Sequence, residues 1–173
     1  MDRGLGRGDW LPALALALAV LLLTWPVVLL GPFPADAYES KAVWAAFDQN
    51  SFHLPAIRAQ AEIWPVVRDD GWVVAAPGYY FVLAGVMKYA GLGETALRLL
   101  SSLFGALLIV MAWRAAAVRV GPWAAAACVA PLLASPYVLA GSIWLTPDNA
   151  AWCCVALALS SAVSRTPATR AAV

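Results

Sequence analysis

Of the chain's 173 residues, 63% are hydrophobic and 12% charged, against about 45–50% and about 25% in a soluble domain. With a mean hydropathy of +0.77, that balance excludes both a soluble globular protein and a disordered one. A net charge of +1 leaves no basic footprint for nucleic acid. Cys128, Cys153 and Cys154 lie in apolar runs without metal-ligand spacing, and read as small hydrophobes. The sequence is that of an all-α integral membrane protein.

A bilayer core of about 30 Å takes about 20 apolar residues per helix. Leu11 to Leu30 supplies the first span without one charge, behind Arg3 and Arg7. It is longer than the roughly 7–15 apolar residues of a signal peptide, and Gly31-Pro32-Phe33-Pro34 offers no cleavage site. It reads as a retained helix.

A loop from Gly31 to Thr95 follows, too long for a bare connector and rich in aromatics: Phe33, Tyr38, Trp44, Phe47, Phe52, Trp64 and Trp72. Such a loop predicts two juxtamembrane amphipathic helices. One covers Ser51 to Trp64, with Phe52, Ala56/Ile57, Ala59 or Gln60, and Ile63/Trp64 at helical spacing. The other covers Val73 to Met87, interrupted by Pro77-Gly78 and closed by Lys88, with Tyr79, Tyr80 and Tyr89 as headgroup-level anchors. Three further spans are expected: Ala96 to Val118, Pro122 to Gly141 (kinked or loosened by Pro131 and Pro136), and Pro147 to Val163. The short linkers Arg119–Gly121 and Ser142–Thr146 make them an up-and-down series within one membrane module, residues 1–173.

Charge orients the spans. With four spans and an internal N-terminus, the cytoplasmic ends hold Arg3, Arg7, Arg114, Arg119, Arg165 and Arg170, as the positive-inside rule asks. The external segments hold Lys41, Arg58, Arg68, Lys88 and Arg98 among Asp36, Glu39, Asp48, Glu62, Asp69, Asp70, Glu94 and Asp148. A fifth span at Val73–Met87 would turn Arg114, Arg119, Arg165 and Arg170 outward. The expected protein is multi-pass in the inner (plasma) membrane, with both termini cytoplasmic.

This topology puts two acids on the external side. Asp48 follows the first span, and Asp148 opens the fourth. Acids at membrane depth are costly and are functional suspects. Asp148 has a structural reading too, since Thr146 as N-cap, Pro147 at the first helical position and an acid in the first turn make an ordinary helix start. His53 is the chain's one histidine; it reads as a structural residue, and a histidine-based metal site is excluded. Arg58, Arg68, Lys88 and Arg98 could hold a phosphate or simply snorkel. Serine nucleophile elbows, P-loops, GxGxxG and CxxC are absent.

An aspartate after the first helix, followed by Phe52-His53-Leu54-Pro55, resembles membrane glycosyltransferases of the GT-C superfamily, such as protein O-mannosyltransferases and aminoarabinose transferases. Ala76-Pro77-Gly78-Tyr79-Tyr80 resembles the family's Pro-x-x-Tyr start of a second juxtamembrane helix. Leu97-Arg98-Leu99-Leu100-Ser101 and Leu145-Thr146-Pro147-Asp148 resemble its next two helix openings. The resemblance implies a lipid-linked donor, a polyprenyl-phosphate sugar, attacked at the outer membrane face by an acceptor with inversion. It implies Asp48 as the residue that deprotonates the acceptor and Asp148 as the second acid. Arg98 and Lys88 would neutralise the departing phosphate, and His53, Tyr79 and Tyr80 would line the substrate groove.

Two departures accompany it. Many relatives have Asp-Glu in the first loop. Here Gln49 follows Asp48, which weakens the case for a bridging divalent metal as cofactor. Such enzymes also carry seven or more spans, so the expectation is a truncated module needing a C-terminal half or a partner subunit. The competing expectation is a non-enzymatic membrane protein, a transporter fragment or assembly subunit. A transporter would place polar or broken-helix features at the midplane, whereas here the polar residues gather in one loop and at one helix mouth.

Overall fold

The computed structural model describes residues 6–30, 52–67 and 77–165, and every element among them is helical. A 3-10 turn at Arg7–Trp10 leads into α1, Leu11–Leu29. Pro12 sits in its first turn, where the missing N–H costs nothing. Ala13, Val20, Thr24 and Val28 are buried, while Leu11, Leu14, Leu18 and Leu22 face outward.

Two shorter helices follow, α2 at Leu54–Ile63 and α3 at Pro77–Ala90. They bury Leu54, Ile57, Tyr80, Leu83 and Ala84 against each other, Leu97 and Leu145. Trp64 closes the pair: a Cβ at Gly85 would come within 2.9 Å of its indole Nε1, and that nitrogen donates to the Phe81 carbonyl at 3.2 Å. Both helices are too short to cross a bilayer. The expected amphipathic face of α2 differs in detail. Ala56, Ile57 and Gln60 of that face are buried, the Gln60 amide donating to the Val66 carbonyl at 2.7 Å, while Ile63 is exposed. Val73–Ala76 of the second expected helix lie outside the described residues. The predicted anchors also divide: Tyr89 is exposed, but Tyr80 is fully buried.

The spine is α4, Glu94–Val120. It ends at Gly121, whose φ of 87° is a left-handed conformation that glycine adopts without strain. Trp10 packs on Trp113 with ring centroids 5.2 Å apart, and Trp25 Nε1 donates to Ser102 Oγ at 2.7 Å. These contacts make α1 and α4 antiparallel, so Arg114 and Arg119 lie at the same end as the Arg7–Trp10 turn.

The expected span from Pro122 to Gly141 is not one helix. It divides into α5 (Pro122–Val129), a 3-10 stretch (Ala130–Ala134) and α6 (Pro136–Ile143), bent by 70° at the break. Pro131 and Pro136 supply no N–H to the ladder, and Ser135, placed before a proline, turns extended at ψ 119°. The pair nonetheless runs back along α4. Pro122 O accepts from Trp113 Nε1 at 2.9 Å, and Ile143 O accepts from Arg98 Nε at 3.0 Å. From residue 113 to residue 98 is about 22 Å along a helix.

The last helix is α7, Asp148–Arg165, parallel to α4, with Asn149 against Gly105. Two described helices, Gly8–Leu29 and Glu94–Val120, are long and apolar enough to cross a membrane, and the bent pair counted as one span makes a third. α7 is not among them, because it opens on Asp148-Asn149 and closes among Ser160, Ser161, Ser164 and Arg165. Of the four expected spans, the described residues thus give two plain helices, a third broken where Pro131 and Pro136 loosen it, and a more polar fourth helix.

Candidate functional site

Polar side chains converge at the end of the bundle away from Trp10 and Trp113. The chain leaves α6 at Ile143, runs extended through Trp144 (ψ 161°), and enters α7 at Asp148. Two α4 side chains hold that connection. Arg98, 1% exposed, donates Nε to Ile143 O at 3.0 Å and lies over the Trp144 ring at 4.6 Å. One turn on, Ser101 Oγ donates to Trp144 O at 3.0 Å. Arg98 is thus buried within the bundle rather than snorkelling at its surface.

Tyr79 joins the cluster from α3. Its hydroxyl lies 3.1 Å from Ser101 Oγ. The single Ser101 proton goes to Trp144 O, so Tyr79 is the donor to Ser101. Burial pushes the Tyr79 phenol well above the usual tyrosine range, and the Tyr80 and Asp148 charges add to the effect. Tyr80 points the other way, with its hydroxyl 2.6 Å from His53 Nδ1. His53, buried at the head of α2, therefore ties α2 to α3, as the structural reading of a lone histidine expects.

Asp148 is exposed at the start of α7, where the helix dipole favours a carboxylate. Thr146 does not cap this helix. Pro147 O takes the Ala151 N–H at 2.9 Å, and the buried Thr146 Oγ1 finds no partner among the described residues. Two cavities flank the helix start. One, of about 960 Å³, is lined by Asp148, Thr146, Asn149, Ser135, Tyr137 and Trp152 among others. The other, of about 560 Å³, runs between α3, α4 and α7 past Tyr79, Phe104, Leu107, Ala151, Cys154 and Leu157, and is almost wholly apolar.

Of the residues singled out in the sequence, His53, Tyr79, Tyr80, Arg98 and Asp148 gather at this end. Lys88 does not: it donates to Trp64 O at 3.0 Å, nine residues and about 13 Å along α3 from Tyr79. Asp48 lies outside the described residues. Among the described residues, no group of three His, Cys, Asp or Glu side chains could hold a metal ion. The sequence reading gave no role to Gly105, Ser142 and Asn149, and named Ser101 only within a helix-opening motif. Their one signal was small or polar residues interrupting apolar helices, which elsewhere in the chain carries no such meaning.

An all-helical membrane bundle with its polar residues gathered at one helix mouth is the class of structure in hand. Residues 74–170, more than half of the chain, match the family described as Dolichyl-phosphate-mannose-protein mannosyltransferase. The chain belongs to this family, a glycosyltransferase family of the GT-C type. No curated protein and no solved structure matches it.

Proposed function

We propose that the chain carries the catalytic mouth of a glycosyltransferase that moves a sugar from a polyprenyl-phosphate carrier to an acceptor hydroxyl or amine at the external membrane face. The observation that carries the reading is the position of Asp148 at a helix mouth between two cavities, one almost wholly apolar and a larger one that adds several polar side chains to its apolar wall. The apolar one, between α3, α4 and α7, suits a prenyl chain. The larger one, with a carboxylate, hydroxyls and the Trp152 ring, suits a sugar.

In this reading the acceptor heteroatom attacks the anomeric carbon, and the carbon–oxygen bond to the lipid phosphate breaks with its electron pair leaving on phosphate. The acceptor proton passes to Asp48, and the configuration inverts. Phosphate leaves readily, so base and placement contribute more than a strong acid. Asp148 orients the reacting groups from the helix mouth. The Arg98 charge, buried against the Ile143–Trp144 connection that leads to Asp148, favours the negative charge that develops on the phosphate. Tyr79 lines the prenyl side, while His53 and Tyr80 hold α2 and α3 together beneath it. Lys88, at the far end of α3, has no part in this. The antiparallel α1 and α4, with Arg114 and Arg119 beside the N-terminal turn, support cytoplasmic placement of that end.

The test supplies membranes containing the chain with radiolabelled polyprenyl-phosphate mannose and follows release of the sugar from the lipid. Asp48→Asn and Asp148→Asn should each cut it by about 10²–10⁴-fold, the range for a positioned acid–base group. Release that survives both substitutions would remove these acids from the chemistry.

A further inference from the structure

We propose that Asn149 is a positioning residue: it locks the last turn of α6 to the first turn of α7 and so fixes the direction in which Asp148 faces. The inference rests on the reading of Asp148 as an acid of the site. Asn149 is 2% exposed, and a buried amide is costly unless its hydrogen bonds are made. Both protons of its Nδ2 are used, one on Val138 O at 2.9 Å and one on Ser142 Oγ at 2.8 Å. Ser142 Oγ in turn donates to Val138 O at 2.6 Å. A backbone carbonyl can only accept, so the amide has its nitrogen, and not its oxygen, on Val138 O.

The slot that receives this amide is cut by glycine on two sides. A Cβ at Gly141 would stand 3.0 Å from Asn149 Cγ and Oδ1. A Cβ at Gly105 would stand 3.1 Å from Nδ2 and would overlap Ser142 Oγ outright. The side chain at 149 therefore fills space that a side chain at either glycine would need, between α4 and α6. Successive residues of a helix point about 100° apart. Fixing residue 149 inward consequently fixes its neighbour Asp148 outward, toward the larger cavity that both residues line. Arg98 and Ser101 hold the connection upstream, and Asn149 holds it downstream, so the acid sits on a segment fastened at both ends.

The test reads the position of residue 148 without any sugar. The full chain, with Cys128, Cys153 and Cys154 replaced by alanine, carries a nitroxide label through D148C or, as a control on the α3–α4 connection, through L92C. Electron paramagnetic resonance in lipid nanodiscs then measures the mobile fraction. N149A should raise that fraction at position 148 about fivefold, the equivalent of one hydrogen bond of ~1 kcal/mol, and leave position 92 unchanged. N149D keeps the size of the side chain but presents only acceptors to Val138 O, and it should act like N149A. S142A, which leaves the Val138 bond, should have the smaller effect. An unchanged spectrum at 148, an N149D that behaves like the parent, or equal loosening at 92 and 148 overturns the lock. The two readings fail separately. Transfer that survives Asp148→Asn defeats the chemistry, and unchanged spectra defeat the lock.

Discussion

The two ends of α4 are built on different principles. At the Arg114 end the contacts are apolar: Trp113 and Ala117 pack in one cluster with Ala13, Ala125 and Val129, Trp10 lies on Trp113, and the Trp113 indole spends its one proton on Pro122 O. At the Glu94 end, Arg98 and Ser101 donate to the α6–α7 connection, Ser101 and Ser102 accept from Tyr79 of α3 and Trp25 of α1, and the gap at Gly105 admits Ser142 and Asn149. Lipid is as apolar as a tryptophan pocket, so packing alone distinguishes partners weakly in a membrane, whereas a polar atom without a partner is expensive. The first end holds helices together. The second end specifies where each one stops, which is what a site needs.

Substitutions should separate the two ends by kind of effect. The largest change belongs to the polar mouth: Asp148→Asn should cost about 10²–10⁴-fold in sugar release while leaving thermal unfolding in detergent nearly unmoved, because Asp148 is exposed. Trp113→Ala should do the reverse. It should destabilise the bundle by about 3–5 kcal/mol on the scale for buried tryptophan truncation, toward the lower figure because lipid also accommodates apolar groups. Release per folded molecule should persist. If Trp113→Ala abolished release in a fully folded population, the division between the ends would be wrong.

Smaller effects refine the contrast. Ser101→Ala removes the bond to Trp144 O and leaves the Tyr79 proton without its acceptor, and should cost about 1–2 kcal/mol. Ser102→Ala loses the Trp25 indole bond and a local donation to Leu99 O within α4, and should cost about 0.6 kcal/mol, the average for an interhelical hydrogen bond in a membrane protein. Chemical unfolding of the two variants side by side gives the ranking. The smallest signal is at alkaline pH. Burial holds Tyr79 protonated in the folded chain above the pH at which an unfolded tyrosine ionises, so its contribution to stability is full below about pH 10 and is lost as pH rises past that. Ultraviolet titration of Tyr79→Phe should therefore match the parent up to about pH 11, and its stability should fall less steeply above pH 10.

Much of this architecture is legible in single residues. The run Leu11 to Leu30 and the charge-free centre of α4 can satisfy their backbones in lipid only as helices, so two spans follow from composition. Pro131 and Pro136 announce trouble in the third span, since each removes a donor. Its outcome is not readable, because a kink, a broken span and a re-entrant turn all relieve the same missing bonds. Only the contacts of Pro122 with Trp113 and of Ile143 with Arg98 decide that the chain returns along α4.

The candidate site divides in the same way. Asp148 stands out locally, because an acid beside an apolar run is costly wherever the chain folds. Arg98, Lys88, Tyr79 and Tyr80 look alike in sequence, as amphipathic residues near helix ends that could face headgroup, ligand or core. Tertiary structure separates them. It buries Arg98 over Trp144, sends Tyr80 to His53 and Tyr79 to Ser101, and leaves Lys88 at Trp64. Asn149 and Gly105 are quieter still, a small polar residue and a gap, whose meaning depends on the helix opposite. The sequence by itself determined which segments enter lipid, because that depends on each segment's own transfer free energy. Only the packed structure decided which polar groups meet, because that depends on partners tens of residues away.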